Sequence, residues 1–555
     1  MMNNIRTIFQ EGCRPDTCQP SGDSPGCCRP DTCQPSGDSP GCCRPDTCQP
    51  SGDSPGCCRP DTCQPSGDSP GRLRHVLYAL YAIVIATLAL TLPSCHRNNN
   101  VEGNLEFSAD TVMFDTVFTT ITSSTRTFTV RNTTGSPVEV DIVLAGGKQS
   151  YYSINVDGVA GTEFRNVEIP AHDSLFVFVK VNINPTDQNL PYLVTDSVMF
   201  YQKNSIQSVQ LVAFGQDAHF IVPNAGTSSM PYRIVAHEHE HVHWTNDKPW
   251  VIYGWAVVDS LGKLTIDPGT QVYVHHGGGI WVYRYGNIHI NGTLDEPVTI
   301  TGDRLESFFD HDYAQWSALW INEGSEDNLI ENAIISNSSY GVHLESLEEF
   351  TGNKTVINNS VIHNNQEMGI RAEGAVLEMN NCQVSNNGKY SLALMVGDFT
   401  LNHVTVANYF TQSSRKTPAV AVTNNFTKTG VVDGEVTNVM YLGDANATFN
   451  NCIIYGPLEN EFGTGTKAGA ELNYTLRNCI VRKDSISNEH FVNCFNKNPK
   501  FIATYGQNYN IEETSPAVDA GMEGLGITTD ILGRPRNGVP DIGAYEYYPI
   551  PEEKR

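Results

Sequence analysis

Two registers recur together along the chain at one shared spacing, and they leave few folds open. In the first, Asn332-Ala333, Asn359-Ser360, Asn381-Cys382, His403-Val404, Asn451-Cys452 and Asn478-Cys479 take equivalent places. Each pair is followed two positions later by a β-branched residue: Ile335, Ile362, Val384, Val406, Ile454 or Val481. The intervals are 27, 22, 22, 48 and 27 residues, and the 48 reads as two coils. In the second, GVHLE at Gly341, GIRAE at Gly369, SLALM at Ser391 and AVAVT at Ala419 repeat. Val342, Ile370, Leu392 and Val420 point inward there, as do Leu344, Ala372, Leu394 and Val422. Self-similarity at this period predicts a β-solenoid in which each coil adds one strand to each parallel sheet, at a spacing of about 4.8 Å. The Asn positions then stack as an amide ladder at a turn. Ala333, Ser360, Cys382, Cys452 and Cys479 form one inward file, where an unpaired thiol serves as a small hydrophobe.

Upstream, from Leu105 to about Phe220, the period is 2. Phe128 and Val130 share a face, as do Leu175, Val177, Val179, Val181 and Ile183. Turn signals such as Asn132-Thr133-Thr134-Gly135 separate the runs, and a seven-strand sandwich follows.

The first 95 residues read as processing rather than fold. Residues 13–71 are four copies of CRPDTCQPSGDSPGC, the last losing its final Cys to Arg72. Such Pro, Gly, Ser and Asp-rich sequence has too little to bury to order itself. The tract reads as a translated tandem DNA repeat rather than a thiol metal site, because it lacks zinc-type Cys spacing. Arg72 and Arg74 then precede the apolar run Val76–Leu92 and the ending Leu92-Pro93-Ser94-Cys95. That order predicts a cleaved signal peptide over 72–95, with a membrane-spanning anchor as the alternative reading. Residues 96–103 form a polar tether. Of 16 cysteines only Cys382, Cys452, Cys479 and Cys494 fall beyond Cys95, so no disulfide framework is implied. The net charge of −26 argues against nucleic acid as a partner.

Several segments resemble known families. Leu92-Pro93-Ser94-Cys95 resembles a bacterial lipobox, which implies that Cys95 carries the lipid and that the protein meets the membrane through it, at the outer membrane. The order FTVRNTTGSPVEV, VEIPAHDSLFVFVKV, TDSVMF and VQLVAFGQDA resembles immunoglobulin-like modules of the hydin type, which act as spacers or adhesive platforms. Residues 245–547 resemble right-handed parallel β-helix proteins of Bacteroidetes type, within the pectin-lyase-like superfamily. The resemblance rests on the PGT turn at Pro268, the NGT turn at Asn291, and the ending NPKFIATYGQNYNIEETSPAVDAG with DILGRPRNGVPDIGAYEY. Five Asp-Ser/Thr-aliphatic triplets, among them Asp110-Thr111-Val112 and Asp173-Ser174-Leu175, resemble the O-glycosylation acceptor of such exported proteins. The expected organisation is all-β: a sandwich over 104–222, a β-helix over 223–500 and a closing segment over 501–555.

Three places offer chemistry. His237, His239, His241 and His243 alternate, and on one strand face they could close on Zn, Ni or Cu, with His275 and His276 within reach. A solvated edge strand is the plainer reading of that tract. On the GVHLE face the outward residues are His343 and Glu345, then Arg371 and Glu373, then Ala393, Met395, Ala421 and Thr423. A lyase would use Arg371 as base with Ca²⁺ held by Glu345 and Glu373; an exposed cross-strand charge ladder is the commoner use of such residues. The non-repeating insertion 302–327 carries Asp303, Arg304, Phe308, Phe309, Tyr313 and Trp316, which could overhang the sheet and stack on sugar rings, or pack on the coil.

These observations lead to an envelope lipoprotein whose β-helix binds glycan or an envelope protein, or serves as structure, without a required cofactor. The alternative is a polysaccharide lyase or glycoside hydrolase of the β-helix type.

Overall fold

The computed structural model describes residues 105–549, apart from 120–122, 124, 185–191, 306–308, 348–353 and 433–434. The tandem repeats, the signal segment, Cys95 and the tether lie outside the described residues. Among those described, no helix is long and apolar enough to cross a membrane.

The N-terminal part is a sandwich of two five-stranded sheets, ten strands rather than the expected seven. Alternation builds it. In Ser174–Val181, Leu175, Val177, Val179 and Val181 are 0–6% exposed, while Phe176 and Phe178 point outward and stack with ring centroids 6.4 Å apart. Each buried Val or Leu stabilises the sandwich by about 1.5–3 kcal/mol. One pairing is parallel: Thr111–Phe118 lies alongside Ser205–Gln216, whose other neighbour, Tyr192–Gln202, is antiparallel.

Parallel coiling begins where His219–Ile221 pairs with Trp250–Ile252. Every coil then lays strands on three ladders. One is a ten-stranded sheet ending at Ile480–Val481. The other two merge into an 18-stranded sheet, because Met368–Asn380 and Tyr390–Asn402 run unbroken through the corner between them. At that corner Gly397 has φ +122° and a Cβ would meet the Ala375 carbonyl oxygen at 2.1 Å, so the turn requires glycine. Val342, Leu344, Ile370, Ala372, Leu392, Leu394, Val420 and Val422 are all fully buried inward, in the register that the repeats imply.

The asparagine register has a backbone cause. Asn332, Asn359, Asn381, His403, Asn451 and Asn478 all have φ between +46° and +58°, a left-handed conformation that Asn tolerates better than most residues. Their side chains then bond down the rod, as in Asn381 Nδ2–H to Asn359 Oδ1 at 2.7 Å. Neighbouring files repeat the device: Asn358, Asn380, Asn402 and Asn450 are linked at 2.9–3.1 Å, and Asn365 bonds Asn387 at 2.8 Å. Just inside, Ala333, Ser360, Cys382, Cys452 and Cys479 form one buried file, and the cysteines are free.

The 48-residue interval is one coil, not two. His403 N–H bonds Asn450 O directly, and Gly397–Asn402 pairs with Ala445–Asn450. The extra length goes into a loop after Ala407 and into an antiparallel hairpin, Asn425–Val432 with Glu435–Leu442. After the last coil, the closing segment folds back along the outside of the ten-stranded sheet. There it covers the outward apolar residues Ala407, Ile453 and Ile480, and it anchors through Ala544 N–H to Thr405 Oγ1 at 2.9 Å and Tyr509 Oη to Asn386 Oδ1 at 2.7 Å.

Candidate functional site

The GVHLE face is where chemistry converges. Strand alternation sends Val342 and Leu344 into the coil and His343 and Glu345 out. Parallel register then sets His343 beside Arg371 and Glu345 beside Glu373. The next coils continue these files as Ala393 and Met395, then Ala421 and Thr423.

These four residues are not the exposed ladder expected of outward side chains. Glu373 is fully buried and Glu345 is 5% exposed. The hairpin accounts for this: its inner side turns Phe426 and Lys428 toward the sheet. Lys428 Nζ bonds the Glu345 carboxylate and lies 3.2 Å from Glu373 Oε2. Arg371 bonds the other oxygen of Glu373 at 2.7 Å, and His343 Nε2 lies 3.0 Å from Glu373 Oε2. Trp320, one coil earlier, stacks on His343 at 5.9 Å with rings 10° apart, and Trp281 stacks on Trp320 at 5.1 Å.

The electrostatics close on themselves. Burial by itself pushes the Glu373 carboxyl up, but the His343 hydrogen bond and the charges of Lys428 and Arg371 outweigh it and hold it well below the carboxylate range. Burial pushes the His343 imidazole down, more than Glu373 can raise it, so at neutral pH the ring is uncharged and donates Nε2–H to Glu373. Burial also disfavours the Arg371 cation, yet the adjacent Glu373 charge and hydrogen bond raise its pKa. Two carboxylates face two cations, and a permanently protonated Arg371 is a poor base.

Lys428 escaped the sequence reading. Its signal was present: a 48-residue interval among 22s and 27s, and two alternating runs flanking Asp433-Gly434, a dipeptide favoured in two-residue hairpin turns.

The other candidates separate. The histidine tract does not present four rings on one face. Met230–Ala236 ends before it, His237 to Glu240 is a turn closed by His237 N–H to Glu240 Oε2 at 2.9 Å, and His239 has φ +62°. His241 and His243 alone share a strand face, with ring centroids 4.4 Å apart, held by Thr265 and Asp267. His275 follows a strand of the ten-stranded sheet and pairs with Asp303 at 2.6 Å, away from that face. Trp316 is no lid residue. It is 1% exposed inside the coil, its indole N–H bonding Ser336 O at 2.8 Å, because the insertion ends before the strand Trp316–Ile321 begins. Tyr313 packs on Phe410, and Arg304 covers the Phe309 ring; Phe308 lies outside the described residues. Among the described residues, His343, Glu345 and Glu373 are the one group of three whose ligand atoms lie close enough to share a metal ion.

Fold and site together define an all-β protein, an immunoglobulin-like sandwich followed by a parallel β-helix, of a kind consistent with a binding or structural module. Residues 256–410 match the family described as the right-handed β-helix region. No curated protein sequence matches the chain. Solved structures with local likeness include the E. coli chaperone DraB, at 15% identity over 21% of this chain and 56% of that one with a TM-score of 0.15. The PapD-like domain 7 of human CEP192 matches at 13% identity over 20% and 84%, with a TM-score of 0.14. A family 123 glycoside hydrolase from Clostridium perfringens matches at 8% identity over 21% of this chain and only 30% of the hydrolase, with a TM-score of 0.16.

Proposed function

We propose that this protein is a cell-envelope lipoprotein, anchored through Cys95 at the bacterial outer membrane, whose β-helix binds a glycan. The observation that carries this is the open face formed by Lys354–Asn358, the C-terminal halves of Met368–Asn380 and Tyr390–Asn402, Ala445–Asn450 and Leu472–Arg477. Its outward files run Asp398, Asn446, Asn473 and Glu378, Thr400, Thr448, Thr475 in strict register. Asp398, Asn446 and Asn473 are exposed and linked at 2.8 and 3.1 Å. Amides, hydroxyls and carboxylates repeating at strand spacing suit a polyhydroxylated chain, which forms many weak polar contacts through bridging water. A protein partner on the same face is the variant of this reading. A glycan array with the mature chain tests it, and Asn446→Arg with Thr448→Arg should abolish any hit. Binding unchanged in that double variant sinks the assignment of the face.

One observation favours a second reading, a lyase or hydrolase: two carboxylates, Arg371 and Lys428 do converge. Catalysis there requires the hairpin to lift, because a general acid or base must reach its substrate within hydrogen-bond distance. Depolymerisation of an acidic polysaccharide, lost in Arg371→Ala, would establish it.

A further inference from the structure

The hairpin carries into the coil a cation that stands where a metal ion fits. His343 and Glu345 lie two residues apart on one strand, and Glu373 faces Glu345 from the next coil. One imidazole nitrogen and two carboxylate oxygens from these residues all lie within 4.8 Å of one another. Nε2 of His343 is 3.0 Å from Glu373 Oε2 and 3.6 Å from Glu345 Oε2. Around a tetrahedral ion with bonds of about 2.1 Å, ligand atoms sit roughly 3.4 Å apart. Two of the three spacings are therefore nearly met, and the third is no more than 4.8 Å. Lys428 Nζ occupies this place, bonded to Glu345 and 3.2 Å from Glu373.

We infer that His343, Glu345 and Glu373 form a site for a divalent transition-metal ion, and that the ion and the Lys428 ammonium compete for it. The donor set of one imidazole and two carboxylates suits Zn²⁺, whereas Ca²⁺ takes six to eight oxygens and gains nothing from a ring nitrogen. The donors stand on rigid strands, with side chains 12, 6 and 0% exposed. They are also oriented from behind. Arg371 occupies Oε1 of Glu373 and leaves Oε2 for the ion, and Trp320 fixes the His343 ring plane. On exchange, Lys428 leaves as the ammonium. His343 moves its proton from Nε2 to Nδ1, so no net proton is released by the ring.

Mutual exclusion makes the effect reciprocal. Metal binding releases the ionic hold on the hairpin, and a docked hairpin weakens metal binding. The polar face proposed to bind glycan lies on the neighbouring ladder, so the two assignments stand or fall separately.

The test titrates Zn²⁺ alone by calorimetry into the full chain, with accessible thiols blocked by iodoacetamide and with His241→Ala and His243→Ala in place to remove the surface histidine pair. Adding Lys428→Met should tighten binding at least ten-fold, and adding His343→Gln or Glu373→Gln to that protein should abolish it. In the chain that retains Lys428, Zn²⁺ should speed amide exchange across Asn425–Leu442. Circular dichroism checks that each variant keeps its β-structure. Should a Gln variant unfold, the Co²⁺ absorption spectrum of the Lys428→Met protein decides, since a tetrahedral N/O site gives intense d–d bands. Equal affinity with and without Lys428, binding that survives both Gln substitutions, or a Co²⁺ spectrum without those bands overturns the inference.

Discussion

The Lys428 ammonium lies 3.2 Å from the Glu373 carboxylate, with the lysine side chain 13% exposed and the glutamate fully buried. The contact joins an inserted hairpin to the sheet beneath it, and it balances a charge that the coil cannot balance alone. Removing one partner of a buried pair leaves the other uncompensated, at a cost of about 3–5 kcal/mol. Lys428→Ala should lower stability by that amount in chemical denaturation. A double-mutant cycle with Glu345→Gln should show a coupling of at least about 1 kcal/mol. A cost as small as that of an exposed ion pair would show that the hairpin does not seal the cluster.

His403 occupies an asparagine position, with Asn451 Nδ2–H donating to its Nε2 at 3.0 Å and its Nδ1 lying 3.3 Å from Gly543 O. Burial first, and the Arg536 charge second, push its pKa down to about 3 from the ordinary 6.5. Between those values the unfolded chain binds a proton that the folded chain refuses, so stability is full above pH 6.5 and falls as pH drops toward 3. The loss from this group is on the order of 3–5 kcal/mol. His403→Asn fits the left-handed turn and should flatten the stability profile below pH 6.5 while costing under about 1 kcal/mol at pH 7. An unchanged acid limb in that variant would refute the assignment.

Burial pushes the Cys382 thiol up to about 12 and raises Cys479 as well, so little reactive thiolate forms at neutral pH. Protein lacking residues 1–95, with Cys382, Cys452 and Cys479 buried and Cys494 half-buried, should therefore react with iodoacetamide at no more than one thiol when folded and titrate four when denatured. A Cys452–Cys479 disulfide would contradict the register, although Cys452 N–H already lies 3.3 Å from Cys479 Sγ.

Trp316→Ala should destabilise the coil by about 3–5 kcal/mol, as expected for deletion of a fully buried indole. Glycan binding at temperatures well below unfolding should not change. Selective loss of binding without loss of stability would restore a ligand-contacting role.

Mass spectrometry of the native N-terminus should find Cys95 carrying a diacylglycerol as a thioether on its sulfur, and no peptide from residues 13–71 in envelope fractions. Recovery of those peptides would place the mature start upstream.

The coil was legible because its constraint is local and repeated. A left-handed turn at each corner selects Asn332, Asn359, Asn381, Asn451 and Asn478, and a narrow interior selects Val342, Ile370, Leu392 and Val420. The free cysteines followed from the same file. The histidine tract departs from strict alternation for an equally local reason: the chain turns over His237–Glu240, with His239 in a left-handed conformation. Trp316 failed because an insertion has no period, so nothing marks where the strand resumes.

The sequence by itself determined the all-β class, the succession of sandwich and coil, and which side chains of the GVHLE face point away from the interior. Only the tertiary structure decided what those outward residues become. Exposure depends on what else folds over a surface, and here the cover arrives from downstream, in the hairpin whose Lys428 meets Glu345 across 83 residues. The closing segment acts likewise on the opposite ladder, where Thr405 meets Ala544 across 139 residues. Periodicity reports the direction of a side chain relative to its own strand. Burial, charge pairing and the shape of a site depend on contacts between segments, and no period in the chain encodes those.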